Sequence, residues 1–144
     1  MSSEIRPIAL ALIVDDRRLL VAEGTDHVKG ERFYRLLGGG IDFAESGAEA
    51  VARELLEEIG ANVTQVEYVE TIENIFVYEG EAGHELCRIY TVTLGDDGIR
   101  ERDEVHLLDS DHRAVWMPVD SFLDRSERLY PDGAVELLGR LVGA

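Results

Sequence analysis

The segment from residue 46 to residue 60 constrains the fold more than any other part of the sequence. Its small and apolar residues recur at helical spacing and share one side: Ala48, Val51, Ala52, Leu55 and Ile59. Ser46 and Glu49 form a capping-box pattern at the start, and Gly60 supplies a C-terminal stop. We therefore predict a helix over Gly47–Ile59 that packs one face against a sheet.

The neighbouring face of this predicted helix is acidic. At about 100° per residue, Glu54, Glu57 and Glu58 fall within an arc of about 100°. Like charges at such spacings repel, and a bound divalent cation would turn that repulsion into attraction. Oxygen ligands without Cys or His nearby favour Mg²⁺ or Mn²⁺ over Zn²⁺. Ala50 is expected in the middle of this arc, where its small side chain would leave room for a phosphate.

The remaining pattern is mostly of the β type. Two runs, IALALIV and LLVAEG, predict a hairpin around residues 15–18, and FYRLL predicts a short strand before the turn at Gly38, Gly39 and Gly40. Further strands are expected in VTQVEYVETI, NIFVYEG, HELCRIYTVTL and AVWMP, and an acidic loop at residues 95–111. Helices are expected at residues 120–123 and 132–142. This order predicts one α/β (α+β) domain, residues 1–144, with a mixed sheet covered on both faces.

Composition restricts the function and the compartment. The net charge of −16 disfavours nucleic-acid polymers and anionic membranes as partners, because phosphates would be repelled. No stretch approaches the roughly 20 apolar residues of a membrane helix, and the first apolar run has no signal-peptide features. A single cysteine excludes an internal disulfide. We therefore expect a cytoplasmic protein that does not associate with membranes.

The glycine triplet and the helix together form a motif, GGGIDFAESGAEAVARELLEEIGA. This motif resembles the box of the Nudix hydrolase family, in which glycines, acidic residues, an arginine and an aliphatic residue stand at fixed separations. The matching positions are Gly39, Glu45, Arg53, Glu54, Leu55, Glu57, Glu58 and Gly60. Ala61 departs from the box, because the family usually has Ile, Leu or Val at that position. The match covers about a sixth of the chain and is highly specific.

The resemblance implies roles for individual residues. Glu57 and Glu58 are similar to the principal metal ligands of the family, and Glu54 is similar to a further ligand or the general base. The carbonyl of Gly38 would complete the coordination. Arg53 and Glu45 resemble the pair that orients the catalytic helix and loop, so the expected catalytic set is Glu45, Arg53, Glu54 and Glu57. Some relatives take the general base from a later loop, and here Glu101 and Glu104 are the candidates.

The resemblance also implies a fold and a reaction. The fold would be the Nudix α/β/α sandwich, and a homodimer is expected. The reaction would be Mg²⁺-dependent hydrolysis of a phosphoanhydride bond by in-line attack of water. Candidate substrates are dinucleoside polyphosphates, nucleotide sugars, ADP-ribose and nucleoside triphosphates. Two alternatives stay open: a non-catalytic nucleotide-sensing module with the same fold, and an acidic cation-binding protein without a phosphate substrate.

Residues outside the metal ligands suggest how a nucleotide would be held. Arg32 and Arg35, with Lys29, are the expected phosphate-binding residues in a chain poor in positive charge. Gly39 would let the substrate approach the backbone. Tyr78 stands where relatives that hydrolyse diadenosine polyphosphates carry a stacking tyrosine.

Other residues are interpreted structurally. Trp116 and Phe122 are expected in the core, and Cys87 is expected as a small buried residue. His84 and Glu85 open a strand, where they are either solvated or at the edge of a pocket.

Overall fold

Helix α1 forms where the sequence predicts it, over Gly47–Ile59. The computed structural model describes residues 3–95, 98–108 and 112–143 of the chain. Ser46 Oγ accepts a hydrogen bond from the Glu49 amide, and the Glu49 carboxylate accepts one from the Ser46 amide, so the capping box is complete. Gly60 ends the helix in the left-handed conformation, with φ of 67°. Both ends of the helix are therefore determined by local sequence.

Nine strands form one mixed sheet in the described part of the chain. They are β1 (Arg6–Leu12), β2 (Val14–Asp15), β3 (Arg18–Asp26), β4 (Glu31–Gly40), β5 (Val63–Tyr78), β6 (Glu81–Leu94), β7 (Glu104–His106), β8 (Arg113–Pro118) and β9 (Leu129–Tyr130). The order is β5-β6-β1-β4-β3-β8-β7, with β2 on β3 and β9 on β4. β1 runs parallel to β6, β4 runs parallel to β9, and the other pairs are antiparallel.

Helices cover both faces of the sheet. Along β1, Ala9 and Ala11 pack with α1, whereas Leu10 and Leu12 pack in a second cluster with α2 (Val119–Leu123) and α3 (Ala134–Val142). Alternation along one strand thus builds two apolar layers. The prediction of an α/β/α sandwich around a mixed sheet is confirmed.

Strand β4 changes partner along its length. Residues 31–36 pair with β3, and residues 37–40 pair with β1. The β5–β6 hairpin extends beyond β1, as far as the pair of Tyr78 with Glu81. The chain therefore leaves an open angle between the β3–β4 part and the β1–β6–β5 part of the sheet.

The two hairpin turns that flank this angle are joined by hydrogen bonds, which we call the tip clasp. Asp26 Oδ1 accepts from the amides of Val28 and Lys29, and Asp26 Oδ2 accepts from the amide of Glu79, each at 3.0 Å. The His27 amide donates to the Glu79 carboxylate at 3.0 Å, and Lys29 Nζ donates to the Val77 carbonyl at 2.8 Å. These backbone amides lower the pKa of the Asp26 carboxyl, the Lys29 amide most. The clasp fixes the β5–β6 turn against the β3–β4 turn.

Several sequence predictions were wrong in detail. The glycine triplet is not a turn, because Gly38, Gly39 and Gly40 pair with β1 as the end of β4. The two segments at residues 63–80 form one long strand, β5. The predicted hairpin is limited to β2 and β3, because β1 pairs with β4 and β6 instead.

The acidic region predicted as a loop contains a 3₁₀ helix, Ile99–Glu101, and strand β7; residues 96, 97 and 109–111 of that prediction lie outside the described residues. Strand β9 was missed because a two-residue strand has no periodicity. No helix within the described ranges is long and apolar enough to cross a membrane.

Candidate active site

Arg53 connects the loop before α1 to the helix itself. Its Nε donates to Glu45 Oε2 at 2.7 Å and its Nη2 donates to Glu45 Oε1 at 3.0 Å, which is the two-pronged geometry of a guanidinium on a carboxylate. Nη2 also donates to the carbonyl of Gly40 at 3.0 Å. Arg53 therefore fixes the end of β4, the following loop and α1 relative to one another.

This arrangement changes the ionisation of both partners. The hydrogen bonds from Arg53, followed by the one from the Asp42 amide, lower the pKa of Glu45 to about 2. The same carboxylate is the main cause of a raised Arg53 pKa. Glu45 is consequently ionised throughout the neutral range, and the ion pair persists there.

Two glutamates of α1 converge on one positively charged atom. Arg53 Nη1 donates to Glu54 Oε1 at 3.0 Å and to Glu57 Oε1 at 2.9 Å. The Glu54 side chain is largely buried, whereas the Glu57 side chain is about half exposed. The geometry brings these two carboxylates close enough to share a single cation.

Glu58 is the buried member of the three glutamates, with 5% of its surface exposed. Its Oε1 accepts a hydrogen bond from the Gly38 amide at 3.1 Å. Gly38 has φ of +140°, and a Cβ at this position would lie 2.0 Å from the carbonyl oxygen of Ala9. Only glycine therefore allows the backbone contact that holds Glu58 against β4.

The helix face differs from the prediction at Ala50. This residue is fully buried in the core cluster on the α1 side of the sheet, so it does not leave room for a phosphate. Ala52, expected in the apolar face, lies outside that cluster. The angular projection therefore did not predict the burial of these two positions.

The donor set suits a hard divalent cation. It contains three carboxylates, and the Gly38 carbonyl is a further oxygen nearby. Across residues 3–95, 98–108 and 112–143, no three Asp, Glu, His or Cys side chains are grouped tightly enough to constitute a metal site. Instead, the Arg53 guanidinium neutralises Glu54 and Glu57. The chemistry of the ligands fits Mg²⁺ or Mn²⁺, and its binding would require the Glu57 carboxylate to leave Arg53.

A cavity of about 560 Å³ lies in the open angle of the sheet. β1, β3, β4, β5 and β6 contribute to its wall, and Gly38 and Gly39 belong to that wall. The glutamates of α1 are not in the wall. Two of these glutamates contact glycines of the wall: Glu58 accepts a hydrogen bond from the Gly38 amide, and the Glu54 carboxylate lies directly against Gly39.

The structure brings some of the predicted substrate-binding residues to this cavity and leaves one outside. Arg35, Gly39, Lys29 and Tyr78 contribute to the wall. The Tyr78 hydroxyl donates to the Thr25 carbonyl at 3.3 Å. Arg32 does not line the cavity.

The Arg32 side chain is largely exposed and lies 3.5 Å from Glu127, with its guanidinium 5.9 Å from the centre of the Tyr34 ring. These contacts account for its position without a ligand.

Arg6 and Asn74 are among the cavity-wall residues that sequence reasoning missed, and Glu85 was left open. A Cβ on Gly40 would be 3.4 Å from Arg6 Nη2, so the Arg6 guanidinium lies beside the end of β4. Burial raises the pKa of Glu85, and Arg6 and Arg35 oppose that rise. The pairing of β1 with β6 brings Arg6 opposite Glu85, and no sequence signal announces this long-range register.

The alternative general-base candidates are not placed at the glycines. Glu101 lies in the 3₁₀ helix and is exposed. Glu104 forms a close ion pair with Arg113, which also binds Glu23 at the cavity wall.

His84, expected either in solvent or at the edge of a pocket, pairs with Glu73 at 2.7 Å and does not line the cavity.

Three predicted structural residues occupy the core. Cys87 is fully buried, and burial raises the pKa of its thiol to about 12, so a thiolate nucleophile is disfavoured. Trp116 and Phe122 are buried in the clusters on opposite faces of the sheet. These predictions are confirmed.

Comparisons with known proteins agree with this geometry. A family model described as NUDIX domain matches residues 4–137. The human mitochondrial NAD(P)H pyrophosphatase NUDT13 is 35% identical over 65 residues, which cover 45% of this chain and 18% of that protein. The mouse protein of the same name gives the same values. The matched segment thus spans less than a fifth of these curated relatives.

Solved structures agree over nearly the whole chain. The MutT NUDIX hydrolase from Burkholderia pseudomallei has a TM-score of 0.65 and 21% identity, covering 94% of this chain and 96% of that one. The E. coli ORF135 protein has a TM-score of 0.63 and 22% identity, covering 97% and 90%. At these identities the likeness concerns the fold.

Proposed function

This chain belongs to the Nudix hydrolase family, and from that premise we propose that it is a metal-dependent pyrophosphohydrolase of nucleoside diphosphate derivatives. The candidate substrates are dinucleoside polyphosphates, nucleotide sugars, ADP-ribose and nucleoside triphosphates. One observation carries the proposal: Glu54 and Glu57 converge on a single cationic nitrogen, and Glu54 lies against a glycine of the cavity wall. A cation at that position would be next to a phosphate held in the cavity.

The proposed metal ligands are Glu57, Glu58 and the carbonyl of Gly38, and Glu54 is a further ligand or the general base. When bound, Mg²⁺ or Mn²⁺ would polarise phosphate oxygens, assist ionisation of water and stabilise the leaving group. Glu58 is the most rigid of these ligands, because it is buried and bound to the Gly38 amide. Glu57 is the most mobile, since its side chain is half exposed.

The chain's own groups would supply the proton transfer and orientation. We assign Glu54 as the proposed acceptor of the proton from water, because its carboxylate lies directly against Gly39 of the cavity wall. Arg53 stays bound to Glu45 and Gly40 through Nε and Nη2, so it can release Glu57 without losing its own position. Arg6 and Arg35 would hold the anionic substrate through their guanidinium groups.

A substrate panel tests the proposal. With Mg²⁺ present, ADP-ribose, a nucleotide sugar, a dinucleoside polyphosphate and a nucleoside triphosphate are incubated with the protein, and the products are separated by chromatography. We expect at least one compound to yield a nucleoside monophosphate and a phosphorylated remainder. We also expect Glu57→Gln to lower that rate by at least about a hundredfold.

Glu49→Gln is the matched control, because it makes the same chemical change on the same helix. Glu49 caps the helix N-terminus, and glutamine can fill that role. The control variant should keep its activity. Nucleotide binding without hydrolysis of any compound would favour the alternative of a sensing module, and metal binding that is unaffected by nucleotides would favour a cation-binding protein.

Compartment, assembly and domain content belong to the same proposal. The single cysteine is buried and needs no oxidising environment, which supports a cytoplasmic location. We propose a homodimer of single-domain subunits. Light scattering at micromolar concentration tests it, and a mass near 16 kDa would contradict it.

A further inference from the structure

Asn74 is a buried amide that faces the cavity without a partner. The residue is 6% exposed and belongs to the cavity wall. Its side chain forms no hydrogen bond with the residues that the structure describes. The Asn74 amide atoms are also not completely enclosed by protein. Within the described ranges, Arg18 Nε is the one side-chain atom that is both fully enclosed and without a hydrogen-bond partner. The Asn74 amide therefore opens onto the cavity, where a bound ligand or water can satisfy its hydrogen-bonding groups.

Alternation along β5 supports this orientation. Asn74, Phe76 and Tyr78 lie on the cavity side of the strand. Between Asn74 and Phe76, Ile75 is 68% exposed and does not line the cavity, whereas Val77 contributes to the wall although it is 50% exposed. Alternation along β5 therefore places Asn74 on the same face of the strand as Phe76 and Tyr78.

Asn74 belongs to a polar row that crosses three strands. In the sheet register it stands opposite Glu85 on β6, and Glu85 stands opposite Arg6 on β1. Arg6 Nη1 is 3.7 Å from Glu85 Oε2. The Glu85 side chain is largely buried. An amide and a carboxylate are therefore side by side in the cavity wall, and together they present two acceptor groups and one donor group.

The remainder of the cavity suits a flat aromatic ligand. Phe33 contacts Tyr78 and Tyr130 edge to face, with ring centroids 5.9 and 5.2 Å apart. Two glycines make room for the rings: a Cβ on Gly24 would lie 2.5 Å from Phe33, and a Cβ on Gly83 would lie 2.3 Å from Phe76. These rings form the aromatic part of a wall that also carries charged residues such as Glu23, Lys29 and Glu31, and a wall that combines aromatic and polar groups is typical of small-molecule sites.

We propose that Asn74 and Glu85 read the edge of the substrate's base and select a purine that carries an exocyclic amino group. The amino group would donate its two hydrogens to the Asn74 amide oxygen and the Glu85 carboxylate. The Asn74 amide nitrogen would donate to a ring nitrogen or carbonyl oxygen of the same base. The proposal rests on the proposed function only in taking the cavity as a nucleotide site, with the phosphates toward Gly38 and Gly39.

The test is a calorimetric titration with AMP, GMP and IMP in the presence of Mg²⁺. IMP is the matched ligand, because it has an oxo group where AMP has the amino group and a hydrogen where GMP has it. We expect AMP or GMP to bind about tenfold or more tightly than IMP. Which of the two binds more tightly identifies the base. Equal affinity for all three, or no binding of AMP and GMP up to millimolar concentration, overturns the proposal.

Variants assign the discrimination to the two residues. Asn74→Ala and Glu85→Leu should each reduce the ratio of the preferred ligand's affinity to that of IMP toward one, because neither new side chain has an acceptor oxygen. The controls make the same changes at exposed positions outside the cavity, Asn62→Ala and Glu67→Leu, and should preserve the ratio. Thermal unfolding checks that each variant is folded. If Asn74→Ala does not fold, Glu85→Leu still decides, because an unchanged ratio in that variant contradicts the assignment.

The outcome is independent of hydrolysis. Discrimination without turnover of the substrate panel would refute the proposed enzyme and keep the base-reading pair. Turnover of the panel without discrimination would refute the pair alone.

Discussion

The carboxylate of Glu54 lies directly over the α-carbon of Gly39. A Cβ built on Gly39 would be 2.5 Å from Glu54 Cδ and within 2.7 Å of both carboxylate oxygens. The glycine at this position is therefore required by the proposed catalytic group and not by backbone conformation. Its neighbour Gly38 shows the opposite case, because its Cβ would meet the backbone oxygen of Ala9 at 2.0 Å and its φ is +140°.

Alanine at these two glycines should consequently have different effects. Gly39→Ala displaces the end of a flexible side chain, so we expect hydrolysis to fall by about 10- to 100-fold with little change in the melting temperature. Gly38→Ala strains the backbone of β4 and should destabilise the fold by at least about 1–3 kcal/mol. Rates and thermal unfolding of both variants decide the matter. A large loss of stability in Gly39→Ala would contradict this reading.

Arg53→Lys tests the guanidinium that connects the loop to the helix. A lysine ammonium cannot bind Glu45 through two parallel hydrogen bonds while also reaching Gly40, Glu54 and Glu57. We expect activity to fall by about 10- to 100-fold although the positive charge is kept. Arg125→Lys is the control, because Arg125 forms an exposed ion pair with Glu136 and has no hydrogen bond or ion pair with the residues that Arg53 binds. The hydrolysis rate of this variant should not change.

Glu45 should contribute to stability in a pH-dependent way. Its pKa in the folded protein is about 2, below its usual value of 4.5, because Arg53 and the Asp42 amide bind the ionised form. The contribution is therefore present above about pH 4.5 and is lost as the pH falls toward 2.

Glu45→Gln should accordingly lose less stability than the parent chain between pH 5 and about pH 2. Denaturant unfolding of both proteins at several pH values measures the difference, which removes the effects of the other carboxyl groups. Parallel stability curves would show that the Glu45 pKa is not lowered.

Asp26→Asn tests the tip clasp. An amide binds the amides of Lys29, Val28 and Glu79 less well than a carboxylate does, because it lacks the charge and one acceptor oxygen. Hydrogen exchange of the Glu79 amide should become roughly tenfold faster or more. Exchange in α1 should not change, and an equal acceleration there would indicate a global effect instead of a local one.

Leu55→Ala tests the packing of the glutamate-bearing helix. Leu55 is fully buried between α1 and the sheet, so the variant should lose about 2–5 kcal/mol of unfolding free energy. The adjacent Leu56 is 51% exposed, and Leu56→Ala should stay within about 0.5 kcal/mol. Similar losses in the two variants would mean that the helix face has been assigned wrongly.

Local sequence was enough to predict helix α1. Its start depends on Ser46 and Glu49 and its end on Gly60, and each of these acts within four residues. The order of the box residues likewise predicts the family, and the comparisons confirm it. The helical projection nevertheless did not predict the burial of Ala50, which depends on the contacts of α1 with the sheet.

The cavity could not be predicted in the same way. Arg6, Asn74 and Glu85 are far apart in the chain and become neighbours only through the pairing of β1, β5 and β6. Arg32 and Arg35 lie three residues apart in the same predicted strand region, and the sequence did not distinguish them, but only Arg35 lines the cavity. The glycine triplet looked like a turn because glycine permits one, and pairing with β1 made it a strand.

The sequence by itself determined the elements whose physics is local: the capped helix with its acidic face, the strands with alternating burial, and the order of charged residues in the box. Tertiary structure decided which of these groups meet. Strand register is a long-range property, because it depends on which backbone groups pair across many residues of intervening chain. That register placed Asn74 beside Glu85, and the packing of α1 against β4 placed Glu54 over Gly39.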